Sequence, residues 1–140
     1  MLKGIDPVLT GAALKALDEM GHGDTLALVD RNYPAHSSTR PVIHLGDIGV
    51  ERAARAILSV FPLDTFIDAP LSRMLSDDND PDHDTHDAVL RVATAAHGSP
   101  LRYGLVPRHD FYAHARECQA IFQCLEDAPY SCFFLTKGVV

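Results

Sequence analysis

Residues 19–37 read E-M-G-H-G-D-T-L-A-L-V-D-R-N-Y-P-A-H-S, and the start of the fold depends on this stretch. Residues 25–30 are a short apolar run closed by Asp30, a pattern typical of a buried strand with an acid at its carboxyl end. Just before this strand, His22 lies between Gly21 and Gly23, which offer it little packing. The pattern favours a histidine exposed for chemistry over one buried for stability.

A helix is predicted upstream of this turn, from Asp6 and Pro7 to Met20. Asp6 can cap the first free amides, and proline fits the first helical turn. Gly21 can then end the helix in a left-handed conformation. Apolar residues recur between these limits at helical spacing: Val8, Leu9, Ala12, Ala13, Leu14, Leu17 and Met20.

Short apolar strands alternate with helical patterns along the rest of the chain. Further strands are predicted at 41–45, 101–106 and 132–136, with weaker candidates at 65–67 and 71–75. Helices are predicted at 49–61, 85–97 and 109–125, and Pro62 and Gly98 end the first two. With no internal repeat or linker, this alternation predicts a single α/β domain over residues 1–140, a sheet with helices packed on its faces.

The composition is that of an ordinary globular chain, and its charge limits the choice of partner. A chain of 140 residues can bury a core of its own. Hydrophobic residues make up 46% of it and charged residues 22%. The formal net charge of −7 disfavours nucleic acid as a partner.

Targeting signals and cysteine usage favour the cytoplasm. No apolar run approaches the roughly 18 residues that a membrane span needs, so no membrane association is predicted. The first ten residues have neither the apolar core nor the cleavage signal of a secretory peptide. Cys118, Cys124 and Cys132 are odd in number and form no C-x-x-C, which disfavours a disulfide framework or a zinc ribbon. Reduced cysteines in apolar surroundings usually behave as small hydrophobes.

His22 and Asp30 are the first candidates for chemistry. In open α/β sheets ligands bind at the carboxyl ends of strands, where Asp30 lies, and the His22 loop reaches it if the loop folds across the sheet. Histidine exchanges protons near neutral pH, and a carboxylate can orient or tune it. The alternative is a plain turn with His22 in solvent, and the pattern alone does not decide between the two.

Several blocks of this sequence resemble one known family. M-L-K-G-I-D-P-V-L-T at 1–10, E-M-G-H-G-D at 19–24 and V-D-R-N-Y-P-A-H-S at 29–37 are similar to the RbsD/FucU family, the ribose pyranases and fucose mutarotases. F-P-L-D-T-F at 61–66 and R-H-D-F-Y-A-H-A-R at 108–116 resemble the fucose branch, and L-T-K-G-V at 135–139 resembles the family's ending. These matches span nearly the whole chain in the family's order.

The resemblance implies a three-layer α/β/α fold and an isomerase that needs no cofactor. Such an enzyme interconverts the ring forms of a free monosaccharide, here L-fucose or a related sugar, because the fucose-like blocks favour that branch. Ring opening needs a proton donated to the ring oxygen while another leaves the anomeric hydroxyl. Two alternatives stay open: a ribose pyranase, which converts pyranose to furanose, and a sugar-binding module without catalysis.

The resemblance also implies roles for individual residues. His22 matches the family's acid histidine, and Asp30 matches its sugar-binding aspartate. Arg108 matches an arginine of the fucose branch, where a guanidinium suits hydroxyl recognition; the alternative is a surface arginine at a helix start. Tyr130 matches the tyrosine of the family's Y-G-N motif, whose phenol can donate to a sugar oxygen.

The chain departs from the family at this last motif. Residues 129–132 read P-Y-S-C, so Ser131 and Cys132 stand where glycine and asparagine are expected. Cys132 is therefore counted among the predicted substrate-binding residues. The loss of an amide side chain bears on which sugar binds more than on catalysis.

The acidic segment S-D-D-N-D-P-D-H-D-T-H-D at 76–87 invites comparison with a calcium or zinc loop. It lacks the central glycine and terminal glutamate of an EF-hand, and His83 and His86 have no matching pair elsewhere. A solvated loop whose acids favour the following helix N-terminus explains it, so no metal is predicted. The other histidines are interpreted as surface or packing residues, except His36, which is a candidate to line the pocket; these others include His97, His109 and His114.

The resemblance finally implies a homo-oligomer. Members of the family form rings, with a decamer as one form, and their sites lie near subunit boundaries. The expected partners are thus a free monosaccharide and further copies of the same chain.

Overall fold

The computed structural model describes residues 1–77 and 83–140, which form four α-helices, a short 3-10 helix and six strands. In chain order these are α1 (Gly11–Glu19), β1 (Thr25–Val29), the 3-10 helix (Ala35–Ser37), β2 (Val42–His44), α2 (Val50–Leu58), β3 (Leu71–Met74), α3 (Asp84–His97), β4 (Gly104–Val106), α4 (Arg108–Ala115), β5 (Ala120–Gln123) and β6 (Phe133–Thr136). Within the described ranges, no helix combines the length and the apolar character that crossing a bilayer requires.

The strands form one mixed sheet in the order β2-β5-β1-β6-β3-β4. Parallel pairs join β1 to β5, β5 to β2, and β3 to β4. β6 is antiparallel to both of its neighbours, with Leu135 opposite Leu26 of β1 and Leu71 of β3. The carboxyl ends of β1 to β5 and the amino end of β6 therefore share one edge of the sheet, called here the carboxyl edge.

Alternate residues of the central strands face two different cores. Leu26 and Leu28 of β1 pack in the core that holds the buried sides of α1, α2 and α3. Ala27 and Val29 face the second core, together with Phe111 of α4. This period of two is the geometry of a strand whose two faces are both buried. The predicted α/β fold, a sheet between two helical layers, is thus confirmed.

The first helix begins later than predicted, at Gly11 rather than near Pro7. The hydroxyl of Thr10 caps it by accepting a hydrogen bond of 3.2 Å from the amide three residues on. The carboxylate of Asp6, predicted to be the cap, accepts a hydrogen bond of 3.0 Å from the amide of Val8 and two of 2.7 Å from the guanidinium of Arg52. The amide of Leu9 also donates to the carbonyl of Asp6, so this segment forms a turn and the helix begins only after Thr10.

The end of this helix also differs from the prediction. The helix closes on Met20 in an extended conformation, so Gly21 is not a left-handed stop. The left-handed residue is Gly23, with φ +86°, where glycine avoids the strain of a side chain. The carboxylate of Asp24 accepts a hydrogen bond of 2.7 Å from the amide of Gly21, which tightens the turn around His22.

The predicted helix 109–125 is wrong beyond Ala115, because Ala120–Gln123 is the strand β5. β5 pairs with β1 on one side and β2 on the other, so both sides of its backbone are hydrogen-bonded in the sheet. Phe122 faces one core and Ile121 the other. A short apolar run is compatible with either helix or strand, and here pairing on both sides selects the strand.

The structure also tests two smaller predictions, the strand at 65–67 and the helix end at Gly98. The weak strand at 65–67 is wrong, because the carboxylate of Asp64 accepts a hydrogen bond of 2.9 Å from the amide of Phe66 and turns the chain. The predicted helix end at Gly98 is confirmed by its φ of +80°. The acidic loop at 76–87 lies partly outside the described residues, which resume at 83.

Leu28→Ala is expected to lower the free energy of unfolding by about 2–5 kcal/mol, because it leaves a cavity in a tightly packed core. Leu28 has no exposed surface in β1. Urea denaturation followed by circular dichroism measures the change. The matched control is Leu105→Ala in the edge strand β4, where the side chain is 56% exposed and the expected loss is below about 0.5 kcal/mol. Equal losses in the two variants would contradict this core.

Candidate functional site

A cavity of about 180 Å³ opens at the carboxyl edge, next to the end of β1. This volume is below the roughly 300–1,000 Å³ of pockets for drug-sized molecules, which favours a small ligand. Its wall includes four of the five site residues predicted from the sequence: Asp30, Arg108, Tyr130 and Cys132. Five further residues line it: Asn32, Tyr33, Met74, Tyr112 and Pro129.

The carboxylate of Asp30 is buried and held in a fixed orientation. Its Oδ1 atom accepts hydrogen bonds from the amides of Asn32, at 2.9 Å, and Tyr33, at 3.0 Å. Its Oδ2 atom accepts one from the Sγ atom of Cys132, at 3.4 Å. An ionised carboxylate accepts roughly four hydrogen bonds, so about one acceptor position is left for a ligand hydroxyl. The turn after β1 thus occupies Oδ1 and leaves Oδ2 beside Cys132, another residue of the cavity wall.

Cys132 closes the cavity beside this carboxylate as a neutral thiol. Burial raises the pKa of Cys132 well above its ordinary value, and the negative charge of Asp30 adds to the shift. A protonated thiol is a weak hydrogen-bond donor and a poor nucleophile. Cys132 therefore acts on the shape and polarity of the cavity rather than as a reactive group.

Arg108 is held at the mouth of the cavity at the first position of α4. Its Nε atom donates a hydrogen bond of 2.8 Å to Asp77. This bond, followed by one to Tyr112, raises the pKa of the Arg108 guanidinium. Arg108 and Tyr112 are four residues apart, so they lie on the same face of the helix. This spacing was the sequence signal that could have identified Tyr112.

Aromatic side chains complete the wall. Tyr33 stacks on Tyr112 with ring centroids 5.5 Å apart, and burial raises the pKa of Tyr33. Tyr130 has a φ of +60°, in the left-handed region that non-glycine residues rarely adopt. The cavity thus combines one carboxylate, one guanidinium and neutral hydroxyls with flat apolar surface, a combination suited to an uncharged polyol.

His22, the fifth predicted site residue, lies at the opposite edge of the sheet. Each strand residue advances the chain by about 3.3 Å, so β1 alone separates His22 from Asp30 by roughly 15 Å. The Nε2 atom of His22 instead lies 3.1 Å from Oδ1 of Asp64, and the imidazole is 44% exposed. Within one chain, the expectation that the His22 loop folds across to Asp30 is wrong.

The buried carboxylate of Asp64 pairs with the partly exposed imidazole of His22. The hydrogen bond from the amide of Phe66, followed by the contact with His22, lowers the pKa of Asp64 below its ordinary value of 3.8. The contact with this carboxylate engages Nε2 and fixes the orientation of the imidazole. Asp64 lies within the F-P-L-D-T-F block, and its role could not be predicted from the sequence because its partner is 42 residues away.

A large groove of about 960 Å³ surrounds His22. Its wall includes the N-terminal segment, α1 and the last residues of the chain. Several apolar side chains there are exposed to solvent: Leu2, Val60, Val139 and Val140. Contiguous exposed apolar surface is typical of the places where proteins contact other molecules.

Other histidines lie outside the cavity. His36, a predicted candidate, is exposed and stacks on His44, with their Nε2 atoms 3.0 Å apart. His109 lines a neighbouring cavity of about 380 Å³. In the part of the chain that the structure describes, no group of three or more histidine, cysteine, aspartate or glutamate side chains could hold a metal ion.

The fold and the two edges define a small α/β protein with a polar cavity at one end of its sheet and a histidine–aspartate pair at the other. Residues 3–140 match the RbsD / FucU transport protein family. The chain belongs to this family.

Individual relatives agree with this assignment. An L-fucose mutarotase from Haemophilus influenzae is 37% identical over 142 residues, with 99% of this chain and 97% of the relative covered. The structure of FucU from Bifidobacterium longum is similar with a TM-score of 0.92 and 33% identity, covering 99% of each chain. The fucose mutarotase from Streptococcus pneumoniae, solved in complex with L-fucose, gives a TM-score of 0.89 and 32% identity, also covering 99% of each chain.

Asp64→Asn is expected to make the thermal midpoint less sensitive to acid. Because the folded-state pKa of Asp64 is depressed, its ionised form stabilises the fold above about pH 4, and this stabilisation is lost as the pH falls through the lower folded-state pKa. Thermal melts between about pH 6 and pH 2 measure the difference in slope. Asp68→Asn, at an exposed residue four positions on, is the control and should keep the wild-type slope. A wild-type slope for Asp64→Asn would contradict the role of this carboxylate.

Proposed function

We propose that this protein is a mutarotase for a free monosaccharide, with L-fucose as its preferred sugar. The observation that carries the proposal is the carboxyl-edge cavity, where Asp30, Arg108 and Tyr130 surround a volume of about 180 Å³. The 37% identity to an L-fucose mutarotase over nearly the whole chain supports the choice of sugar. This reaction requires no cofactor, since proton transfers alone open a sugar ring.

The cavity offers complementary surfaces to a 6-deoxy sugar. The Oδ2 atom of Asp30 accepts a hydrogen bond from a ring hydroxyl, while Arg108 and the phenol of Tyr130 donate to sugar oxygens. The methyl group of such a sugar packs on Met74 and on the face of Tyr112. Cys132 supplies a weak thiol donor, already given to Asp30, in place of an amide, so it offers a ligand fewer polar contacts than asparagine would.

The reaction needs a proton at the ring oxygen. His22 donates this proton, and the carboxylate of Asp30 accepts the proton that leaves the anomeric hydroxyl. The bond between the anomeric carbon and the ring oxygen breaks, and the resulting aldehyde recloses on its other face. Each positioned proton-transfer group contributes about 10²–10⁴-fold to such a rate. Asp64 orients the imidazole during both transfers.

His22 of one copy completes the cavity of another in this proposal. One chain holds the two groups at opposite edges of its sheet, and the apolar groove beside His22 supplies surface for a contact. A contact between two different edges is heterologous, and heterologous contacts close into rings when the rotation allows. A ring-shaped homo-oligomer with shared sites therefore follows from the same proposal.

The proposed location is the cytoplasm. All three cysteines fall within the described residues, and all three are buried and free. Burial raises the pKa of Cys118 and of Cys124 to about 11, so these thiols stay protonated and resist oxidation. This is the state expected of a chain in a reducing compartment.

His22→Ala is expected to reduce the catalysed exchange between the anomers of L-fucose by about 10²-fold or more, because the proton donor is lost. Saturation-transfer NMR measures the exchange directly at equilibrium. His36→Ala is the matched control, since His36 is exposed outside the cavity and should leave the rate unchanged. Exchange as fast in His22→Ala as in the wild type would contradict the proposed acid.

Mixed oligomers test whether the site is shared between copies. His22→Ala and Asp30→Asn subunits are each expected to be inactive, and random hybrids should hold both wild-type residues at about a quarter of their sites. Denaturing and refolding the two variants together should therefore restore about a quarter of the wild-type exchange rate. Native mass spectrometry confirms that hybrids form. Hybrids without any recovered activity would contradict a shared site.

A further inference from the structure

Tyr130 has a backbone conformation that its own side chain disfavours. Its φ of +60° lies in the left-handed region, and residues there persist only where surrounding contacts hold them. The carbonyl of Tyr130 and the following Ser131 both contact the first turn of α3. This turn therefore provides contacts that hold the strained segment in place.

His86 makes the first of these contacts. It has no exposed surface, and its Nε2 atom lies 3.0 Å from the carbonyl oxygen of Tyr130. Its Nδ1 atom accepts a hydrogen bond of 3.2 Å from the amide of His83. A carbonyl oxygen only accepts and an amide only donates, so the proton of the His86 ring lies on Nε2. One tautomer satisfies both contacts.

A second link joins Thr85, the residue before His86, to Ser131, the residue after Tyr130. The hydroxyl oxygens of Thr85 and Ser131 lie 2.8 Å apart, and Ser131 is fully buried. Ser131 stands where the family motif has glycine, so this link needs the side chain that this sequence supplies. The ring of His83 also stacks over the ring of Tyr130, with centroids 6.3 Å apart and planes at 17°.

His86 is itself held from the other side. The hydroxyl of Tyr103 donates a hydrogen bond of 2.6 Å to the carbonyl of His86. The ring of Phe133 meets the His86 ring edge to face, with centroids 5.8 Å apart. The imidazole is thus fixed to the core, and the Tyr130 carbonyl is fixed to the imidazole.

We propose that the first turn of α3 sets the position of Tyr130 in the sugar cavity, with His86 as the positioning residue. His86 does not touch the cavity and acts through the backbone of Tyr130. The role in sugar binding rests on the proposed function, while the hydrogen bond itself does not. Without the imidazole, the Tyr130 segment relaxes and its phenol moves away from the sugar.

Kinetics of two His86 variants test this role. His86→Leu is expected to raise the KM for L-fucose by about 3- to 10-fold, the value of one neutral hydrogen bond, and to change kcat by less than about twofold. His86→Gln keeps a donor in the place of Nε2 and should return KM to within about twofold of the wild type. His97→Leu, the same change at the other end of α3, is the control and should leave KM unchanged. An unchanged KM in His86→Leu, or no rescue by glutamine, would overturn the proposal.

A second measurement is independent of activity and of whether His86→Leu folds. Nitrogen-15 NMR of the wild-type histidines should report a neutral His86 ring with its proton on Nε2 and a bare Nδ1. A ring protonated on Nδ1 alone would overturn the contact with Tyr130. If the wild type fails to speed anomer exchange, the proposed function fails, and this NMR result still decides whether His86 holds the Tyr130 carbonyl.

Discussion

The reversed direction of β6 is the constraint on which the rest of the structure depends. β6 lies between β1 and β3 and runs antiparallel to both, so its amino end lies at the carboxyl edge. Tyr130 and Cys132 therefore arrive beside Asp30, and the thiol of Cys132 donates to that carboxylate. A parallel strand at the same place would carry these residues to the far edge. The polar cavity exists because one strand is reversed.

The same strand also fixes the turn that holds His22. Beyond the carboxyl end of β6, the carbonyl of Lys137 accepts a hydrogen bond of 2.8 Å from the amide of Gly23. The sheet thus holds the polar cavity and the His22–Asp64 pair at its two ends, too far apart to act on one small molecule. This separation is the physical reason for the proposed ring, in which contact between unlike edges of neighbouring copies would bring the two ends together.

The sequence predicted the parts of this arrangement that depend on local pattern. Asp30 at a strand end follows from the apolar run before it, and the alternation of helices and strands predicts the layers. Tyr112 could have been predicted from its spacing of four residues from Arg108. β5 could not have been predicted, because its apolar run is equally compatible with a helix and only pairing with strands on both sides selects the strand. Asp64 and His86 were missed for another reason: their partners are 42 and 44 residues distant, and only the folded sheet brings them together.

The central claim is that the carboxyl-edge cavity binds a free neutral sugar, and NMR of the chain with carbon-13 in its tyrosine rings tests it most directly. The chain has four tyrosines, of which Tyr33, Tyr112 and Tyr130 line the cavity and Tyr103 does not. Titration with L-fucose should shift the signals of the three cavity tyrosines in a saturable way and leave Tyr103 nearly unchanged. Saturable binding that leaves the three cavity signals in place, or no binding at all, would contradict the account.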